Sequence, residues 1–148
     1  MGHPHAISFI SSSAIPNDIA VDDAGNIYVA SSDNSIIEIM RPTVLLNSQL
    51  GTVPPVTINN FWGNTHQIQL STSVFTAFTG ASSVDSANFS NASVATSTTD
   101  YLFYDANNGG VYYDADGAGS VSAPVEIAIV GLSNHPTAIS VGDFALVS

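Results

Sequence analysis

Hydrophobic positions in this chain fall in short runs separated by clusters of Asn, Asp, Gly and Ser. That spacing predicts strands joined by tight turns. Asp18-Ile19-Ala20-Val21, Ile27-Tyr28-Val29-Ala30 and Ile36-Ile37-Glu38-Ile39-Met40 are divided by the polar stretches 22–26 and 31–35. They predict a blade-like, three-stranded antiparallel meander within residues 1–41. Pro42, Pro54 and Pro55 then surround one apolar run, Val44-Leu45-Leu46. Proline removes a ladder donor, so residues 42–55 are expected to form a connector. Val56 to Phe61 predicts a strand, and Gln67-Ile68-Gln69-Leu70 alternates with period two as another. Ser71 is placed to cap a short helix near residues 72–79, stopped by Gly80. Residues 81–99, rich in Ser, Ala, Asn and Thr, predict a loop with one helical turn around Asn88-Phe89.

The last third has the clearest pattern. Tyr101-Leu102-Phe103-Tyr104-Asp105 and Gly110-Val111-Tyr112-Tyr113-Asp114 flank Ala106-Asn107-Asn108-Gly109. Asn-Gly accepts positive φ, which predicts a β-hairpin. An acidic, Gly-containing turn, Asp114 to Gly119, leads to the strand Val125-Glu126-Ile127-Ala128-Ile129-Val130, and Ala138–Val141 and Phe144–Val147 supply closing apolar segments. The expected fold is mainly β, with antiparallel strands and hairpins, and its second domain covers residues 56–148.

Composition agrees with this pattern and narrows the function. Of 148 residues, 45% are hydrophobic but only 9% charged, and Arg41 is the sole Lys or Arg against twelve Asp and Glu, for a net charge of −11. A nucleic acid or an anionic membrane surface needs clustered cations, so neither is expected as a partner. Carboxylates with almost no internal counter-charge suit calcium, and equally suit simple solubility. There is no cysteine, which excludes disulfides, thiolate metal sites and a Cys nucleophile. The opening residues carry no cationic segment followed by an apolar one, and no apolar run reaches the ~20 residues of a membrane span.

Two resemblances refine the reading. Pro16, Ile19-Ala20-Val21-Asp22, Gly25-Asn26 and Tyr28-Val29-Ala30 follow one another as in a blade of an NHL-type β-propeller, over about a sixth of the chain. A propeller closes with ~4–8 blades. Only one copy is visible here, so no complete propeller is expected. The stretch from Val56 to Ser148 resembles the region following the calcium-binding repeats of RTX-type (repeats-in-toxin) exported bacterial proteins. The matching residues are Val56-Thr57-Ile58-Asn59-Asn60-Phe61, Ile68-Gln69-Leu70-Ser71, Ser73-Val74-Phe75, Ala87-Asn88-Phe89, Asp100 to Asp105, Val111 to Gly119, Ile127-Ala128 and Asp143-Phe144.

This second resemblance implies a secreted bacterial protein, extracellular or at the cell surface, whose partner is a type I secretion apparatus. Such proteins carry an uncleaved C-terminal signal, an acidic residue followed by apolar ones, and Asp143-Phe144-Ala145-Leu146-Val147 fits that description. The same residues also read as an ordinary final strand. The calcium repeats have the form GGxGxDxUx. Gly109-Gly110 continues as Val111-Tyr112-Tyr113-Asp114 without the third glycine or any tandem array, so no calcium β-roll is expected.

Candidate chemistry is sparse. Asp114 and Asp116, with Asp105 on the preceding hairpin, are the candidates for a weak calcium site, since carboxylate oxygens are what calcium takes. The alternative is that these Asp side chains bond their own turn backbone. His66 and His135 are expected on the surface, and HExxH and GxSxG are absent. Asn88 and Asn91 head N-x-S sequences. Trp62, Tyr101, Tyr104, Tyr112 and Tyr113 would present a glycan-stacking surface if exposed, but strand alternation turns half or more of them into packing. The expectation is therefore a non-catalytic module for type I export with weak calcium binding. The alternatives are a fragment of an NHL-like propeller protein, a lyase or a binder, and an adhesin module using exposed aromatics.

Overall fold

A computed structural model describes residues 16–21, 27–31, 37–40, 43–59, 61, 66–131 and 134–148. The chain forms two compact units, Met1–Met40 and Arg41–Ser148.

In the first unit, β1 (Pro16–Val21), β2 (Ile27–Ser31) and β3 (Ile37–Met40) form an antiparallel meander in sequence order. The ladder slips between Pro16 and Asp18. Pro16 has no N–H to donate, and a strand's first residue is where the sheet tolerates that. The expected turns at 22–26 and 32–35 lie outside the described residues.

The second unit contains β4 (Thr43–Leu46), β5 (Val56–Ile58), β6 (Gln67–Ser71), β7 (Phe89–Ser90), β8 (Leu102–Asp105), β9 (Gly110–Tyr113), β10 (Val125–Val130) and β11 (Phe144–Val147). One sheet has the order β5-β10-β9-β8-β7, the other β11-β6-β4. The mainly β character matches the sequence pattern, but pairing is mixed rather than only antiparallel. β8-β9 and β9-β10 are antiparallel, whereas β4-β6, β6-β11, β5-β10 and β7-β8 are parallel. From β4 the chain crosses to the other sheet for β5 and returns for β6. A strand that returns this way lies parallel to its predecessor. Apolar alternation is the same in either direction, so the sequence pattern cannot distinguish the two.

Two local expectations change. Residues 42–55 are not connector throughout, because Thr43–Leu46 is β4. Pro42 precedes β4, and Pro54 and Pro55 precede β5, so none removes a donor from inside a ladder. The short helix near 72–79 is a single 3₁₀ turn, Thr76–Phe78, after a tight turn in which Val74 and Phe75 both donate to the Ser71 carbonyl. Thr72, Ser73, Val74 and Thr76 have low helix propensity, and one turn is too short to propagate. The apolar segment 138–140 closes against the core without forming a strand. Ile139 is buried, but its backbone N–H and C=O are both taken by the Asn91 side-chain amide, at 3.0 Å each.

One apolar cluster draws on both sheets, with Ile68, Leu70 and Phe144 from one and Leu102, Tyr104, Val111 and Val130 from the other. Full burial of such a side chain is worth about 1.5–3 kcal/mol. Buried tyrosines keep a polar partner: Tyr104 Oη donates to the Pro136 carbonyl at 2.7 Å, and Tyr113 Oη accepts from Ala77 N at 3.0 Å. The β8–β9 turn requires Gly109, where φ is +74° and a Cβ would lie 2.6 Å from the Val130 carbonyl.

Candidate functional site

The acidic turn between β9 and β10 begins where β9 leaves the sheet. Asp114 N donates to the Tyr101 carbonyl, and the Asp114 side chain, 3% exposed, turns inward. Its Oδ1 accepts from Asp116 N at 3.3 Å. The Asp116 carboxylate takes two further turn amides, Val121 N on Oδ2 at 2.9 Å and Ser122 N on Oδ1 at 3.0 Å. Gly117 lets this turn approach its neighbour, since a Cβ there would lie 2.5 Å from the Ser97 carbonyl. That carbonyl accepts from Ala118 N at 2.8 Å.

The two carboxylates have opposite electrostatics. Burial raises Asp114 above the ordinary aspartate value of 3.8, and the Asp116 carboxylate adds to the rise against the Asp116 amide. Asp116 is lowered, first by the Val121 amide, then by the Ser122 amide and by its hydrogen bond with Asp114. Of the two, Asp114 has the greater affinity for a proton.

The structure does not bring Asp105 to this pair. Asp105 faces Gly110 across the β8–β9 ladder, whereas Leu102 faces Tyr113, the neighbour of Asp114. Three residues of strand therefore separate the two acidic ends, about 10 Å at 3.3 Å per residue. Asp105 Oδ1 instead accepts from Asn107 N at 2.9 Å and Asn107 Nδ2 at 2.8 Å, an Asx turn closing the hairpin. Among the described residues, no group of three or more His, Cys, Asp or Glu is placed to hold a metal. The three candidates form two separate turns, and only Asp114 and Asp116 share one.

The terminal segment is part of the fold. Asp143, 1% exposed, ends a 3₁₀ turn (Val141–Asp143), and its Oδ2 accepts from Ser140 N at 2.7 Å and Ser140 Oγ at 3.2 Å. Phe144 is buried, its ring 5.6 Å from that of Phe89, and Ala145, Leu146 and Val147 are half-buried. β11 lies in register along β6, Phe144 beside Ile68 and Val147 beside Ser71.

Other singled-out residues have structural positions. His66 is buried rather than on the surface, its ring 5.5 Å from Phe61. It shares the inward parity of Ile68 and Leu70, a period-two relation visible in the sequence. His135 is half-buried, with Nδ1 3.2 Å from the Val130 carbonyl. Tyr104 and Tyr113 are core residues, and Tyr112 stacks on Phe103 at 5.1 Å and 8°. Trp62 lies outside the described residues. Asn88 Nδ2 donates to the Thr99 carbonyl and Asn91 to Ile139, so both N-x-S amides are engaged.

One buried acid was not anticipated. Asp100, 6% exposed, accepts from Thr96 N, Thr96 Oγ1, Ser97 N and Ser97 Oγ at 2.6–3.1 Å. Burial raises its pKa, but these bonds together outweigh burial and the net shift is downward. The Ser/Thr run just before Asp100 is the signal for such a loop, since hydroxyls and turn amides converge on a following carboxylate.

Comparison with known proteins places one segment. A family described as a beta-propeller repeat (SBBP) matches residues 7–38, which cover the first two strands of the meander and part of the third. No curated protein and no solved structure matches the chain.

Proposed function

We propose that the second unit is a non-catalytic module of an extracellular RTX-like bacterial protein, serving type I export, behind a propeller repeat of NHL-like kind. The single observation that carries the reading is the segment Asp143–Val147, an acidic residue followed by four apolar ones. The resemblance over residues 56–148 supports it. In the folded unit Asp143 is buried and β11 is paired, so the apparatus would engage this segment on the unfolded chain. Calcium is a secondary part of the proposal and falls to Asp114 and Asp116, the two carboxylates that share one turn. No further cofactor is assigned. Among the described residues, no helix is long and apolar enough to cross a membrane.

Export of the full chain through a type I apparatus tests the reading. Deleting residues 143–148 should abolish appearance in the medium. Because that deletion also removes β11, Ser140→Ala is the companion: it weakens the fold at the same turn but leaves the segment intact, and it should still be exported. Secretion of the truncated chain at the full-length level would refute the assignment.

A further inference from the structure

We infer that Asn108 is a modification site gated by the fold: its side-chain amide is kept in the closed β8–β9 hairpin and leaves as ammonia when the hairpin opens. The inference is independent of the export reading. Asn108-Gly109 is the one Asn-Gly pair in the sequence. Glycine has no Cβ, so its backbone nitrogen is open to close approach by the preceding side chain. In an open chain Gly109 N attacks Asn108 Cγ. The N–Cγ bond forms, the Cγ–Nδ2 bond breaks, and Nδ2 departs as ammonia with the proton that Gly109 N gives up. Water, the co-reactant, then opens the cyclic imide on either side and leaves aspartate or isoaspartate at position 108.

The closed hairpin withholds each reacting group. Gly109 is buried, and its N–H, the nucleophile, is donated to the Asp105 carbonyl at 2.9 Å. Asn108 is exposed to water, but its side chain is tethered at both ends. Oδ1 accepts from Gly110 N at 2.8 Å, and Nδ2 donates to Tyr112 Oη at 3.0 Å. Tyr112 is fixed in turn by its stack on Phe103 and by a hydrogen bond with Glu126. Exposure alone would favour the reaction. The engaged nucleophile prevents it, so conversion follows the population of the open hairpin.

The products do not fit the turn they come from. Isoaspartate carries the main chain through its side-chain carbons and adds a methylene just before Gly109. That glycine has no room to move, since a Cβ on it would lie 2.6 Å from the Val130 carbonyl and its own carbonyl accepts from Val130 N at 2.8 Å. Aspartate keeps the backbone but has no donor for Tyr112 Oη. It also adds a carboxylate beside a phenol that Glu126 and Asp105 already act on, in a chain of net charge −11. β8 and β9 are inner strands of the five-stranded sheet, each paired on both sides, so neither can slip alone to absorb the change. The fold protects Asn108, and its conversion excludes the fold. Opening of the hairpin is thereby made irreversible.

Peptide mapping by mass spectrometry of the full chain, incubated in mildly alkaline buffer with and without unfolding urea, tests the inference. Conversion at Asn108 should be at least about tenfold slower in the folded chain, equivalent to ~1.4 kcal/mol or more of opening cost. In urea Asn108 should convert before Asn107, which lies in the same turn but precedes another Asn. Chains with isoaspartate at position 108, separated after urea and returned to buffer, should fail to regain amide protection at residues 102–105 and 110–113. Unconverted chains from the same treatment should regain it. Equal rates in folded and unfolded chains, an Asn108 that stays intact in urea, or equal recovery of converted and unconverted chains would overturn the inference.

Discussion

Asp100 and Asp114 are comparably buried, lie in loops joined by the Ala118–Ser97 backbone bond, and have opposite electrostatic outcomes. The loop 96–100 supplies four donors to its carboxylate, so Asp100 stays ionised in spite of burial. The turn 114–122 gives Asp114 a long bond from Asp116 N and a neighbouring carboxylate, so it holds its proton more tightly. Donor supply, and not depth, decides which carboxylate is satisfied. The first loop is a finished structural element. The second is a place where an added cation would relieve an electrostatic cost.

The largest consequence should follow from removing the satisfied member. Asp100→Ala would strand two backbone amides and two hydroxyls of Thr96 and Ser97 and should cost about 2–4 kcal/mol, since hydrogen bonds to charged groups contribute roughly 1.5–3 kcal/mol each but partly rebind water. Urea unfolding at neutral pH measures it. A loss under about 0.5 kcal/mol, the scale of an ordinary surface change, would mean that the loop does not depend on its carboxylate.

Much of this comparison was legible in the sequence, but unevenly. The hairpin at Asn108-Gly109 and the meander followed from turn residues and alternation, because both are local. The parallel returns of β6 and β11 were not legible, because pairing direction depends on which sheet the chain crosses to. His66 was readable from its parity with Ile68 and Leu70 and was nevertheless expected at the surface on residue type alone. The grouping of Asp105 with Asp114 and Asp116 failed for a geometric reason: nine to eleven residues apart in sequence, they are divided by the length of a strand pair. The Asp114–Asp116 contact needed only a two-residue turn.

A smaller effect, of opposite sign, should come from Asp114→Asn. The amide keeps an acceptor for Asp116 N and adds a donor toward the Asp116 carboxylate, so the variant should be more stable at pH 7 by about 1 kcal/mol, the scale of one ordinary net hydrogen bond. The pH dependence separates the two acids. Asp114 has a raised folded pKa, so its contribution is full below the unfolded value near 3.8 and is lost as pH rises through the folded value. Asp100 has a lowered folded pKa, so its contribution is full above that value and is lost as pH falls through the folded one. The gain from Asp114→Asn should therefore shrink on acidification toward pH 3.8, and Asp100→Asn should flatten the acid limb of the stability curve. Equal profiles for the two variants would erase the distinction between the loops.

The smallest expected effect is that of calcium, and it tests whether the acidic turn has a use. Two carboxylates and turn carbonyls fall short of the roughly six to eight oxygens calcium prefers, so affinity should lie in the millimolar range of extracellular sites, with water completing the shell. At a free concentration of about five times such a Kd, linkage gives about 1 kcal/mol, a rise of a few degrees in thermal midpoint. Calcium competes with protons for these carboxylates, so the rise should fade as pH drops and should be absent in Asp114→Asn. Asp105→Asn should leave it intact, because Asp105 closes the opposite end of the hairpin. A midpoint identical in calcium and in chelator would leave the turn as a costly carboxylate pair held by backbone amides alone, and the two loops would then differ in energy but not in role.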